Sequence, residues 1–351
     1  MVAKFDRCIA HRKKETGEFI QGYFSGKDRK ILLVAAAGFD PRSALVPHAI
    51  AETNVFRAAV FIREDRPKPE SDLLGEAEAN VEKLKKDYPN CQIEFVPILE
   101  SDNAVVGGRR VTEILSKIDL ADFTDIVVDI SALSIGISYP VVKYFYRAAT
   151  QRQRNLHLFV VPDAQFDSTV EPSYASSPSF VHGFKGTIGT TQSDAASRLW
   201  IPQLAPGKKG AFQRIHDYVK PHETCPILPF PSRDPRTGDR LIVEYIEELE
   251  SGWTVDPRNF MYAAEEEPLD IYRTLLRVDD FRTRVFRDHG GSLIVLSPIG
   301  SKVLALGSLL AALERNFPVA YLEAMRYSVK GANTRPVGSI DDALHLWAHR
   351  P

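Results

Sequence analysis

Two short stretches of this chain gather small residues, hydroxyls and charge at a spacing that suits an anion. In Ser297-Pro-Ile-Gly-Ser-Lys302, Gly300, Ser301 and Lys302 stand just ahead of an apolar helical run. Gly300 permits close backbone approach and Ser301 offers a hydroxyl. A lysine at a helix start opposes the helix dipole, a cost that an anionic ligand would offset. In Ala37-Gly-Phe-Asp-Pro-Arg-Ser43, Gly38 again allows close approach, and Asp40 or Ser43 can cap the helix that follows. The free N–H groups of that helix start suit an anion, and Arg42 would add a charge-assisted phosphate contact. Asp129 and Ser131 form a third pair. Two positions apart on a strand, they share a face, where they can meet a ribose hydroxyl, hold a water or cap the following loop. Ser134, Gly136 and Ser138 then make a small-residue turn into the next helix.

Each of these groups needs a strand to deliver it. The apolar runs ILLVAA, AAVFIRE, QIEFVP, DIVVDIS and LHLFVV are near-continuous rather than alternating, as strands buried on both faces are. A second series follows: LWIPQL, CPILPF, NFMYA, SLIVLS and VAYLE. Helix-length segments separate the strands in both series, which predicts parallel sheets. The loops correspond in order and type, so the reading is an internal duplication: an α/β fold of two tandem Rossmann-like units with mainly parallel five-stranded sheets. Residues 1–165 would form the first unit, led by an N-terminal hairpin turning at Lys14-Glu-Thr-Gly-Glu18. Residues 166–197, rich in Ser, Thr, Gly and Pro, would be a linker or a loop over a site. Residues 198–351 would form the second unit, ending in a helix capped by Ser339.

A length of 351 residues fits about two domains. The net charge of −2 argues against generic nucleic-acid binding driven by phosphate neutralisation. The cysteines, Cys8, Cys91 and Cys225, are odd in number and lack CxxC or Cys/His spacing, so they read as reduced thiols with no zinc site. The nine histidines are scattered, with no HExxH and no pair at metal spacing. No metal and no cofactor is expected. No apolar run reaches the roughly 20 residues of a membrane span, and the first residues lack the apolar core of a signal peptide. The expectation is a cytoplasmic protein with no membrane partner. No GxSxG elbow, GxGxxG or Walker A loop is present.

In layout, residues 30 to 327 resemble the CARF and SAVED domains of bacterial defence systems, in which Rossmann-like sheets bind cyclic oligonucleotides. The shared features are the loop after each first strand (Gly38 to Ser43, Ala205 to Gly210) and the small-residue loop after each fourth (Asp129 to Ser138, Ser297 to Lys302). Both fourth-strand loops depart from the usual threonine–glycine–glycine turn, and the first lacks a lysine. The resemblance implies a sensor in antiviral defence for a nucleotide or other phosphate-bearing small molecule. Because no effector domain is visible, it would act through a separate protein partner. The alternatives are an enzyme acting on a nucleotide or phosphorylated metabolite at an inter-unit cleft, and a scaffold subunit of a larger complex.

Overall fold

The computed structural model describes residues 3–53, 55–67, 69–175, 177–190, 195–330 and 338–351. The chain begins with β1 (Ile9–Arg12) and α1 (Lys14–Phe24). A serial run follows: β2 (Lys30–Ala36), α2 (Leu45–Ala51), β3 (Phe56–Asp65), α3 (Ser71–Asp87), β4 (Gln92–Pro97), α4 (Gly107–Leu115), β5 (Asp125–Asp129), α5 (Ile135–Arg152) and β6 (Asn155–Val160). Next come α6 (Ala164–Thr169), β7 (Val170–Tyr174), β8 (Ser179–Phe180), β9 (Ser197–Pro202), α7 (Lys209–Val219), β10 (Glu223–Thr224), β11 (Ile227–Pro229), α8 (Thr237–Glu244) and β12 (Met261–Ala263). The chain closes with α9 (Pro268–Val285), β13 (Ser292–Ser297), α10 (Lys302–Arg315), β14 (Ala320–Tyr321), β15 (Ala324–Val329) and β16 (Leu344–His349).

Two compact units result, and neither is one continuous stretch. The larger comprises Arg7–Ser173 and Ala324–Pro351, the smaller Met1–Asp6 and Tyr174–Glu323. The larger unit is built on a seven-stranded, mostly parallel sheet in the order β1-β16-β6-β5-β2-β3-β4. Strands β2 to β6 run parallel, while β16 is antiparallel to both of its neighbours. The chain builds outward from β2 through β3 to β4, then returns to place β5 on the other side of β2. Strand order therefore reverses between β2 and β5, and ligands of open α/β sheets bind outside such a point. Six of the seven β2 residues and all five of β5 are buried, which explains their unbroken apolar character.

The smaller unit has a parallel three-stranded sheet, β10-β9-β13, and a parallel pair, β11-β12. Its core gathers Trp200, Phe212, Tyr245 and Trp253, and α9 packs against α10.

Four expectations are corrected. Residues 14–18 begin α1 instead of forming a hairpin turn, because Thr16, Ile20 and Phe24 recur at helical spacing and bury one stripe. The final helix is a strand. Ser339 caps only a single 3-10 turn, with Asp342 completing a capping box. The chain then extends as β16, whose two ladders to β1 and β6 satisfy its backbone as a lone helix turn could not. That strand and β1 bring this sheet to seven strands, not five. The supposed linker contains α6, β7 and β8; β7 pairs with β15 and β8 with β14. Its residues 176 and 191–194 lie outside the described residues.

Candidate functional site

The loops leaving β2 and β5 meet at the order reversal of the larger sheet. After β2, the Asp40 carboxylate accepts from the Arg42 backbone N–H at 2.9 Å and pairs with the Arg42 guanidinium at 2.7 Å. The same guanidinium reaches Asp167 Oδ1 of α6 at 2.7 Å and donates to the Val161 carbonyl at 3.4 Å. Arg42 is 2 % exposed. Burial works against its charge, but Asp40 and then Asp167 outweigh it, so Arg42 holds its proton more firmly than usual. Arg42 is thus spent on tying the β2 loop to the segment after β6, which leaves it poorly placed for the phosphate contact expected of it. Ser43 is fully buried and donates to the Asp40 carbonyl. Gly38 borders open space, since a Cβ there would meet nothing within 4 Å. Its carbonyl accepts from Asn80 of α3.

Beyond β5, Asp129 Oδ1 accepts from both the backbone N–H and the hydroxyl of Ser131. Ser131 Oγ in turn accepts from Val161 N–H at 2.8 Å. Asp129 is 1 % and Ser131 0 % exposed, so the pair joins the ends of β5 and β6 and is shut off from solvent. Burial raises the Asp129 carboxyl to about 6, against the Ser131 bonds that favour its charge, and Asp40 adds a like charge nearby. Between about pH 4 and 6 the folded chain therefore keeps a proton that the unfolded chain has lost. Stability falls as pH rises through that window, and the loss is complete above it. Asp129→Asn keeps an oxygen for Ser131 and removes the buried charge. Urea unfolding is expected to show a gain of up to about 3 kcal/mol at pH 8 and little change at pH 4.

Ser134 stands at the start of α5. Its N–H donates to Glu64 Oε1 at 2.7 Å, while its buried Oγ has no partner among the described residues. Glu64 sits near the end of β3 and pairs with Arg66 at 2.6 Å. Arg66 donates to the Ala324 carbonyl and lies 4.9 Å from the Tyr327 ring centre, which has Phe39 5.8 Å away. Glu64 ends the run AAVFIRE and Arg66 follows two residues later, and neither stands among the residues expected from the sequence to reach a site. Their signal was position, because they end the strand beside β2.

The other predicted residues lie in the smaller unit. Ser297 is fully buried, accepting from Trp200 Nε1 and donating to the Ala320 carbonyl, both at 2.8 Å. A Cβ at Gly300 would come within 3.2 Å of the Ala205 Cβ, so the glycine serves close packing between two loops. Ser301 flanks α10 without a side-chain cap bond, and Lys302, half-buried, is the first helical residue. The loop after β9 is closed by Glu244, which accepts from Gly207 N–H at 2.7 Å, and by Tyr245, which donates to the Ala205 carbonyl.

A further cluster went unseen in the sequence. His11, His345, His157 and Asp125, on β1, β16, β6 and β5, form one hydrogen-bonded row across the larger sheet. Strand pairing across 334 residues unites them, and no local spacing announces it. Among the described residues, no group of three or more His, Cys, Asp or Glu is placed to hold a metal ion, and no helix is long and apolar enough to cross a membrane. The three cysteines are half-buried and form no disulfide among the described residues.

No protein-family model matches the chain, and no curated protein matches it. Among solved structures, it is similar to an antimicrobial-reagent pseudoaglycone deacetylase (TM-score 0.27, 12% identity, 44% of this chain and 74% of that one). It is also similar to the cytoplasmic domain of a prokaryotic cation chloride cotransporter (TM-score 0.25, 10% identity, 86% and 96%). A third is an uncharacterized protein from Mycobacterium Paratuberculosis (TM-score 0.23, 8% identity, 83% and 75%). At such TM-scores these likenesses carry no argument about what the chain does.

Proposed function

We propose that the chain is a sensor-type binding protein, taking a nucleotide or another phosphate-bearing small molecule at the β2/β5 order reversal of its larger unit and acting through a separate effector chain. The observation that carries this reading is the arrangement at that reversal. An 18-residue helix, α5, starts there with a Ser134 hydroxyl that has no partner among the described residues, and the loop after the neighbouring β2 has open space at Gly38. Binding is favoured over catalysis because Asp129 and Ser131, the obvious acid–base and hydroxyl pair, are sealed and committed to each other. The strand order of the smaller unit supports the internal duplication. Bridges from Gln203 to Ile227 and from Leu296 to Val319 extend its sheet to β14-β13-β9, then β10 and β11 side by side along β9, then β12, with β10 and β11 in the place of β3. That is the pattern of β6-β5-β2-β3-β4, and it accords with the SAVED-like layout.

Glu64 is the group that a ligand phosphate would have to displace from the start of α5. Its carboxylate already occupies the anion position, which is also the observation favouring the scaffold alternative. A thermal-shift screen of mono-, di- and cyclic nucleotides separates the two readings. A ligand at 100 times its Kd is expected to stabilise the chain by about 2.7 kcal/mol. Glu64→Gln, which removes a competing charge but keeps an acceptor, is expected to enlarge the shift, and Ser134→Ala to reduce it. A shift lost only in Lys302→Ala would move the ligand to the smaller unit. No shift with any nucleotide, in the parent chain or in Glu64→Gln, would favour the scaffold.

A further inference from the structure

Three imidazoles lie nearly edge to edge in the larger unit. His11 Nδ1 is 2.9 Å from His345 Nδ1, with ring centres 5.2 Å apart and ring planes 13° apart. His345 Nε2 is 3.0 Å from His157 Nδ1, again with ring centres 5.2 Å apart. His157 Nε2 is 3.1 Å from Asp125 Oδ1. Such a separation of centres at hydrogen-bonding N···N distance means the rings meet through in-plane nitrogens, not by stacking. Phe19 covers the row, 4.2 Å from His345 and 4.5 Å from His11. His157 and His345 are fully buried, and His11, at the end of the row, is partly exposed.

The donor directions follow from the charged end. Ionised Asp125 only accepts, so His157 carries its proton on Nε2 and leaves Nδ1 to accept from His345 Nε2. His345 Nδ1 then accepts from His11 Nδ1, and His11 Nε2 is left as the free acceptor. Three junctions hold three protons.

We propose that this row is a proton-operated latch on the C-terminal strand β16, closed near neutral pH and opened by acid. One added proton can settle on His11 Nε2 with every junction intact. A second either puts two N–H groups into one junction or lands on Asp125 against its existing donors. The unfolded chain takes up three protons on three independent imidazoles, the folded row only one with its bonds intact. The excess of two protons pulls β16 away from β1 and β6 as pH falls through the ordinary histidine range.

The groups facing the row do not cancel this preference. From α1, Glu15 favours charge on His11 only, while Tyr23 donates to Asp125. Arg29 pairs with Asp125 at 3.6 Å and opposes charge on His157. Thr124 donates to Asp125, and Arg350 lies over the Trp347 ring. Burial lowers His345 and His157 in the same direction, and Asp125 offsets only part of this for His157. Folded-state values below the ordinary one mean stability that is present above it and lost as pH falls.

The test is amide hydrogen exchange of the whole chain at pH 7.5 and 5.5, corrected for intrinsic rates. Peptides spanning 9–12 and 344–349 are read against peptides of the smaller unit. The opening constant of β16 is expected to rise at least tenfold at the lower pH, with no such rise in the smaller unit. In His11→Asn the amide can turn its oxygen toward His345 Nδ1, so the folded variant still takes one proton with its bonds intact while the unfolded variant takes two, and the excess falls from two protons to one. The ratio of parent to variant opening constants is therefore expected to change by about tenfold per pH unit between pH 6 and 5. The Asp129 contribution is common to both chains and cancels. Should the variant not fold, nitrogen NMR of the parent chain decides instead, with the proton expected on Nε2 of His157 and Nδ1 of His11. Equal β16 opening at both pH values, an identical change in His11→Asn, or the opposite tautomers would overturn the latch.

Discussion

Arg42→Met is expected to destabilise the larger unit by about 3–5 kcal/mol, the usual cost of leaving a buried charge without its partner. The Asp40 side chain is 12% exposed, so its carboxylate would be stranded, whereas Asp167, at 38%, can turn to water. The loss is therefore assigned mainly to Asp40. This gives an ordering that chemical denaturation can check: adding Asp40→Asn to Arg42→Met should recover part of the loss, because the stranded charge goes while an oxygen remains for the Arg42-position N–H. Arg42→Lys should recover less than half. One ammonium cannot serve Asp40, Asp167 and the Val161 carbonyl at once, as the planar guanidinium does. A loss below about 1 kcal/mol for Arg42→Met would show that the pair is screened like a surface one.

Gly307→Leu is expected to abolish folding of the smaller unit, and Gly307→Ala to cost about 3 kcal/mol or more. A Cβ at this position of α10 would lie 2.1 Å from the Pro268 carbonyl oxygen and 2.3 Å from Ile271 Cγ2 of α9. Alanine normally gains about 1 kcal/mol over glycine inside a helix. Here that gain is overwhelmed, because the obstacle is backbone that cannot rotate away. Gly238→Ala in α8 of the same unit, where a Cβ meets nothing within 4 Å, is the control and is expected to be neutral or slightly stabilising. Circular dichroism melting of the three variants reads both effects.

The buried strands were legible because their apolar runs are local: ILLVAA and DIVVD appear as β2 and β5 where composition places them. The loop residues Gly38 to Ser43 and Asp129 to Ser134 were legible as strand-end positions of an α/β fold. Their roles were not. Whether Arg42 faces a ligand or two carboxylates depends on Asp167, 125 residues away. Whether Glu64 is surface charge or the cap of α5 depends on Ser134, 70 residues on. The C-terminal segment misled for the same reason. Ser339 is a sound helix cap, and only the open flank of β6 decides that the chain continues as strand.

By itself, then, the amino-acid sequence determined an α/β protein whose apolar strands deliver hydroxyls and charge to strand ends, since burial and turn chemistry are written in neighbouring residues. The tertiary structure alone decided that Arg42 is an internal tie, that Asp129 and Ser131 are sealed, and that His11, His157 and His345 share one row. Those outcomes are set by pairing between distant strands, where burial and hydrogen-bond partners decide what a charged or titrating side chain can do.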